Sequence, residues 1–182
     1  ISEKIKGFEE TGSHTFLFGY EESYGYLAGS FVRDKDAVIA SMLICEMAAW
    51  YRSKGMTLYE GLLALWEEYG YYADSQMSIQ AEGKEGMERI RELMENLRAD
   101  LPFQVGGIPV VRIEDYAKSK AYHIQEGTTG SIDLPVSNVL KYILKDHSWF
   151  CVRPSGTEPK VKIYFSTVGD SIQEAEAKSE VD

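Results

Sequence analysis

Apolar positions recur at more than one period along the chain, and each period predicts a different element. The longest apolar stretch, Ala37 to Tyr51, is interrupted only by Ser41 and Glu46. It predicts a buried helix that Asp34 or Asp36 can cap and that ends near Gly55. Thr57 with Glu60 three residues on is a capping box for a second helix. Leu58, Leu62, Leu65 and Trp66 form its apolar face, and Tyr69-Gly70 closes it. Ahead of both helices, Thr15 to Phe18 predicts a short strand. It runs into a polar loop bounded by glycines, Gly19-Tyr20-Glu21-Glu22-Ser23-Tyr24-Gly25.

Beyond about residue 70 the pattern changes. Met77-Ser78-Ile79 alternates as a strand does, whereas Met87, Ile90, Met94 and Leu97 recur at helical spacing. Pro102, Gly106-Gly107 and Pro109 punctuate the next stretch. Val110–Ile113, Trp149–Val152 and Val161–Phe165 predict strands, Gly127–Gly130 a turn, Val139–Leu144 a short helix, and a last amphipathic segment begins near Ser171. A boundary near residues 70 to 76 separates a first unit from a second in which strands and helices intersperse, the pattern of an α+β domain.

Charge and composition narrow the class. The net charge of −10 argues against general nucleic-acid binding, which needs many Lys and Arg to replace counterions. It leaves room for an anionic substrate, because a few local cations reverse the local field. No apolar run is long enough for a membrane span, and no secretory signal precedes the first element. Cys45 and Cys151 each lie in apolar stretches without metal-ligand neighbours, so both are expected to be reduced core thiols of a cytoplasmic protein. The start Ile1-Ser2-Glu3-Lys4 predicts a piece of a longer chain.

Two loops carry candidate chemistry. Arg153-Pro154-Ser155-Gly156-Thr157-Glu158-Pro159-Lys160 lies between two predicted strands. Arg153 brings a planar fork of donors, Ser155 and Thr157 bring hydroxyls, and Gly156 lets an anion approach the backbone amides. Two prolines stiffen the ends, and Lys160 or Lys162 adds a second cation. An ordinary surface hairpin accounts for the Ser, Gly, Thr and Pro, but not for Arg153 leading and Lys160 closing; the loop is expected to bind phosphate. In the other loop, Glu21, Glu22 and Ser23 can bond sugar hydroxyls. By chemistry alone a solvated acidic turn fits them equally well, and the lack of a nearby His argues against a metal. Arg33-Asp34-Lys35-Asp36 reads first as helix capping with surface ion pairs; the sharper reading puts Lys35 or Arg33 beside a substrate. His14, His123 and His147 share no motif.

Together GYEESYG and RPSGTEPK resemble, in order and spacing, two loops of the α-D-phosphohexomutase family. The stretch His14–Tyr26, with Arg33 to Ala37 after it, is most similar to the bacterial phosphoglucomutase/phosphomannomutase branch. The resemblance implies that residues 1–70 are the later part of an α/β layered domain 3. Residues 71–182 would be domain 4, an α+β unit with a TATA-binding-protein-like fold. It implies a reaction that interconverts hexose 1-phosphate and hexose 6-phosphate through a phosphoserine and a hexose 1,6-bisphosphate intermediate, with Mg²⁺ assisting. By matching position, Glu21, Glu22 and Ser23 would face the sugar. Arg153, Ser155, Gly156, Thr157, Lys160 and Lys162 would hold the phosphate, and Lys35 would serve as a proton-transfer or charge-stabilising group. The family's T-A-S-H-N-P serine motif and D-G-D-x-D-R metal loop are absent from this sequence. The resemblance therefore implies a C-terminal piece, inactive alone, whose partners are a phosphosugar and domains 1 and 2 of the same full-length chain, with no nucleic acid and no membrane. A stand-alone phosphosugar-binding module and a phosphopentomutase-like relative are the alternatives.

Overall fold

The computed structural model describes residues 1–21, 24–81 and 83–179 and divides into two compact units, Ile1–Leu65 and Trp66–Asp182. The first begins with a helix that the hydrophobic pattern did not predict, α1 (Ser2–Thr11). Half of its residues are charged, but Ile5 is fully buried, and Gly12 ends the helix in the left-handed conformation at φ 63°. The expected strand at Thr15–Phe18 lies later than its residues suggested. The strands are β1 (Phe18–Tyr20) and β2 (Tyr26–Ala28), paired antiparallel with Phe18 opposite Ala28. Thr15 to Leu17 are outside the ladder, because pairing needs a partner and β2 supplies only three residues.

Of the two candidate caps, Asp36 is the one used on α2 (Ala37–Ser53), its carboxylate accepting from the amides of Val38 at 2.8 Å and Ile39 at 3.3 Å. The expectation that this helix is buried is wrong. It has no buried residue, and Val38, Met42, Ile44, Met47 and Trp50 are all exposed. Its apolar residues fall on every side of the helix, and its own unit covers only part of them, such as Ile39, Leu43 and Tyr51. Cys45 on the same helix is exposed rather than a core thiol. The capping box forms as expected: the Glu60 carboxylate accepts from the Thr57 amide at 2.7 Å, and the Glu60 amide donates to the Thr57 hydroxyl at 3.2 Å. That box opens α3 (Leu58–Tyr69).

The second unit is built on an antiparallel sheet. Its strands are β3 (Tyr71–Gln80), β4 (Gln104–Val105), β5 (Ile108–Asp115), β6 (Lys120–His123), β7 (Thr128–Ser131), β8 (Leu140–Leu144), β9 (Trp149–Pro154) and β10 (Lys160–Gly169). They order as β3-β10-β9-β8-β5-β6-β7, with β4 paired to β5. The helices are α4 (Gly83–Ala99) and α5 (Ile172–Ser179). Ile90 and Met94 of α4 pack on Val110, Ile113, Leu140, Tyr142, Val152 and Val161 of the sheet. The Thr167 hydroxyl on that same strand parity bonds the Ala175 carbonyl of α5 at 2.5 Å, so both helices cover one face of the sheet.

Two expectations in this unit are corrected. The expected helix Val139–Leu144 is instead strand from Leu140 on, β8: Leu140, Tyr142 and Leu144 are buried, and Lys141 and Ile143 alternate with them. Gly127–Gly130 is only partly a turn, since Gly127 turns at φ 64° and Thr128 already enters β7. The α+β character of the second unit stands as read.

Candidate functional site

The segment from Arg153 to Lys160 is the connection between β9 and β10, adjacent strands just inside the β3 edge of the sheet path. The ladder closes at the tip, where the Ser155 amide donates to the Lys160 carbonyl at 2.8 Å and the Lys160 amide to the Glu158 carbonyl at 2.8 Å. Inside the loop the Ser155 hydroxyl oxygen accepts from two successive amides, Thr157 at 3.4 Å and Glu158 at 3.2 Å. Both bonds are long, and both donors point into the loop, the arrangement of a backbone nest. Gly156 has open space where a Cβ would stand, so nothing in the fold crowds that position.

Strand parity then brings the cations together. Val161 is buried on the helix-covered face, so Lys160 and Lys162 point to the other face. Lys162 is directly opposite Arg153 in the β9–β10 register. Like charges facing each other across a ladder repel. The ion pairs among the described residues give neither Arg153 nor Lys162 an acidic partner, while Lys160 has Glu158 at 3.2 Å. Arg153, Pro154, Ser155, Gly156, Lys160, Lys162 and Tyr164 line one open hollow of about 230 Å³. Thr157, also expected there, is at the loop tip and does not line it. Sequence reasoning missed Tyr164, although it continues the Lys160, Lys162 alternation by one more step. The opposite side of Pro154, Ser155 and Gly156 borders a second hollow against Met94 and Arg98 of α4. Arg98 is held there by the buried Asp115 carboxylate at 3.2 Å and by Asn138 at 2.5 Å.

The other loop is the turn of the β1–β2 hairpin, in the other compact unit. The Glu21 amide donates to the Gly25 carbonyl at 2.9 Å. Tyr24 holds a left-handed φ of 62°, which is uncommon for a bulky side chain. Glu22 and Ser23 lie outside the described residues. Lys35 reaches back over this turn: its ammonium is 3.6 Å from Glu21 and 3.3 Å from Asp34. A Cβ on Gly25 would fall 2.6 Å from the Lys35 Cγ, so glycine at 25 is what lets the lysine chain lie against the backbone. The hydrogen bond and charge of Asp34, with the Glu21 charge added, hold the Lys35 pKa above its ordinary value. Arg33 instead pairs with Glu9 of α1, away from this turn.

No group of three or more His, Cys, Asp or Glu among the described residues is placed to hold a metal ion. Cys151 of β9 is directly opposite Lys141 of β8, and burial pushes its thiol pKa up, the reverse of an activated nucleophile. No helix among the described residues is long and apolar enough to cross a membrane.

Two family models match. Residues 5–69 match the phosphoglucomutase/phosphomannomutase alpha/beta/alpha domain III, and residues 80–182 match the phosphoglucomutase/phosphomannomutase C-terminal domain. The chain belongs to this family. Within it, the phosphoglucomutase of Staphylococcus haemolyticus is 40% identical over 174 residues, 96% of this chain and 31% of the relative. A Staphylococcus aureus phosphoglucomutase is 39% identical over 91% of this chain and 30% of its own length. The chain thus spans about a third of the length of the phosphoglucomutases it matches. A solved structure of the exocytosis-sensitive phosphoprotein pp63/parafusin, a phosphoglucomutase of Paramecium in its open form, aligns with a TM-score of 0.62 over 97% of this chain and 30% of that one. At 16% identity that likeness speaks for the phosphohexomutase fold alone.

Proposed function

We propose that this chain is the substrate-binding C-terminal part of a phosphoglucomutase/phosphomannomutase, an isomerase that interconverts hexose 1-phosphate and hexose 6-phosphate through a phosphoserine and a hexose 1,6-bisphosphate. Residues 1–70 act as the later part of its third domain and residues 71–182 as its fourth. The observation that carries the reading is the directly opposed pair Arg153 and Lys162 beside a loop with two inward amides. Two facing cations with no acidic partner among the described residues are a cost that a bound dianion relieves, and the amides add donors without adding charge. Arg153, Ser155, Gly156, Thr157, Lys160 and Lys162 hold the phosphate that does not react. Fixing that end lets the sugar present either of its positions to the phosphoserine after reorientation.

Glu21, Glu22 and Ser23 take the sugar hydroxyls. Lys35 acts as a charge-stabilising cation and not as a general base, because Asp34 and Glu21 keep it protonated. The phosphoserine and the ligands of the assisting Mg²⁺ belong to domains 1 and 2 of the full-length enzyme, so this chain alone binds without turning substrate over. The enzyme is cytoplasmic on this reading. The test is an NMR titration of the chain with glucose 6-phosphate, repeated on Arg153→Ala. We expect shifts at residues 153–162 that weaken at least about tenfold in the variant, the scale of a lost charged hydrogen-bonding partner. Equal affinity of both proteins would refute the phosphate assignment.

A further inference from the structure

We propose that the hydroxyl of Tyr164 is an additional donor to the bound phosphate, a role that rests on the phosphate reading of the hollow it lines. Tyr164 follows Lys160 and Lys162 at strand period on the same face of β10, about 7 Å beyond Lys162 along the strand. It is flanked by Cys151 directly opposite on β9 and Gln76 directly opposite on β3. Neighbours on both sides wall in the half-buried ring, and the hollow it borders is the one lined by Arg153, Ser155, Lys160 and Lys162.

Two other tyrosines of this unit, Tyr116 and Tyr142, spend their hydroxyls inside the fold, whereas Tyr71, Tyr72 and Tyr122 do not line the hollow. Tyr116 donates to the Glu114 carboxylate at 2.9 Å, and Tyr142 to the Leu97 carbonyl at 3.4 Å. The hydrogen bonds among the described residues include none made by the Tyr164 hydroxyl, which leaves that donor available to the hollow. Charge explains why a phenol suits this step of the ladder. Arg153 and Lys162 already face each other, with Lys160 on the same face. A further cation there would add to the repulsion, whereas a neutral O–H meets a phosphate oxygen without it.

The experiment compares Tyr164→Phe with Arg153→Ala in the same chain, titrated with inorganic phosphate and with glucose 6-phosphate. Tyrosine ¹³Cζ labelling provides a direct readout. Tyr164→Phe keeps the ring, and amide spectra check that it folds as the parent does. We expect it to weaken both ligands by roughly three- to tenfold. We also expect the Tyr164 ¹³Cζ signal of the parent to move with phosphate. An unchanged affinity in Tyr164→Phe together with a static ¹³Cζ signal, while Arg153→Ala does lose binding, overturns the Tyr164 role and leaves the phosphate site standing. If Arg153→Ala also binds normally, the phosphate reading itself falls.

Discussion

Lys160 already has an anion within its own loop. Glu158 is 3.2 Å from its ammonium, and the amides of Thr157 and Glu158 are turned onto the Ser155 oxygen. These three donors therefore have internal acceptors, and each contact is weak: the carboxylate is largely exposed and the amide bonds are long. If the loop binds phosphate as proposed, a dianion has only these weak internal interactions to displace. Glu158→Gln removes both the competitor on Lys160 and a negative charge near the incoming phosphate, so the chain should bind inorganic phosphate about two- to fivefold more tightly, the ceiling for a surface ion pair. Isothermal titration at low salt would show it, and weaker binding would mean that Glu158 supports the site instead of competing for it. Lys35 illustrates the same scale in the other loop, where a glycine without a Cβ and two nearby carboxylates decide both where an ammonium lies and that it stays charged.

At the scale of elements, the β9–β10 loop is as well placed as the strands that carry it, and β10 is fixed on both flanks, by β9 and by β3. Its far end is also pinned by α5. Lys178 reaches the Val168 carbonyl at 2.6 Å and the Asp146 carboxylate at 3.1 Å. Desolvation pushes the Asp146 pKa up, but the hydrogen bonds from Lys178 and Ser148 outweigh it and leave it below the ordinary 3.8. A depressed carboxylate pKa means that the folded state holds its proton less tightly than the unfolded chain. The stabilisation is complete above about pH 4 and is lost as pH falls through 3.8 toward the lower folded value. The hydrogen-exchange protection factors of the α5 amides should fall across that acid window, and Asp146→Asn should flatten the pH dependence. A parent and a variant with the same acid profile would remove Asp146 from the account. The elements also show how legible the chain was. Val139, Leu140, Ile143 and Leu144 satisfy a helical spacing as well as the strand alternation of Leu140, Tyr142 and Leu144, so a run this short does not choose its period. The ladder with β5 and β9 chooses it.

At the scale of the whole molecule, the two units differ in how much apolar surface they bury. The second has a continuous core beneath α4, whereas the first buries Ile5 and Leu27 and leaves Val38, Met42, Met47 and Trp50 open. Exposed apolar surface of that kind marks a contact face. If further parts of domain 3 cover it in the full-length enzyme, the chain alone should bind a hydrophobic dye such as ANS, and the pair Val38→Glu with Met47→Glu should cut that fluorescence by at least about half without altering phosphate binding. Undiminished dye binding would place the open surface elsewhere.

Legible in the sequence were the capping box at Thr57, the helix of Met87 to Leu97, the α+β character of the second unit and the positions of the two loops. All of these are written in residues close together along the chain, where spacing is geometry. Tertiary structure alone decided that Lys162 faces Arg153, that Tyr164 shares their hollow, that Val139 to Leu144 extends as a strand, and that α2 and Cys45 are exposed. Those outcomes depend on register between strands and on what lies across from each side chain. Neither is encoded by any local period, because a strand's partners come from elsewhere in the chain and a helix's burial depends on whatever is there to cover it.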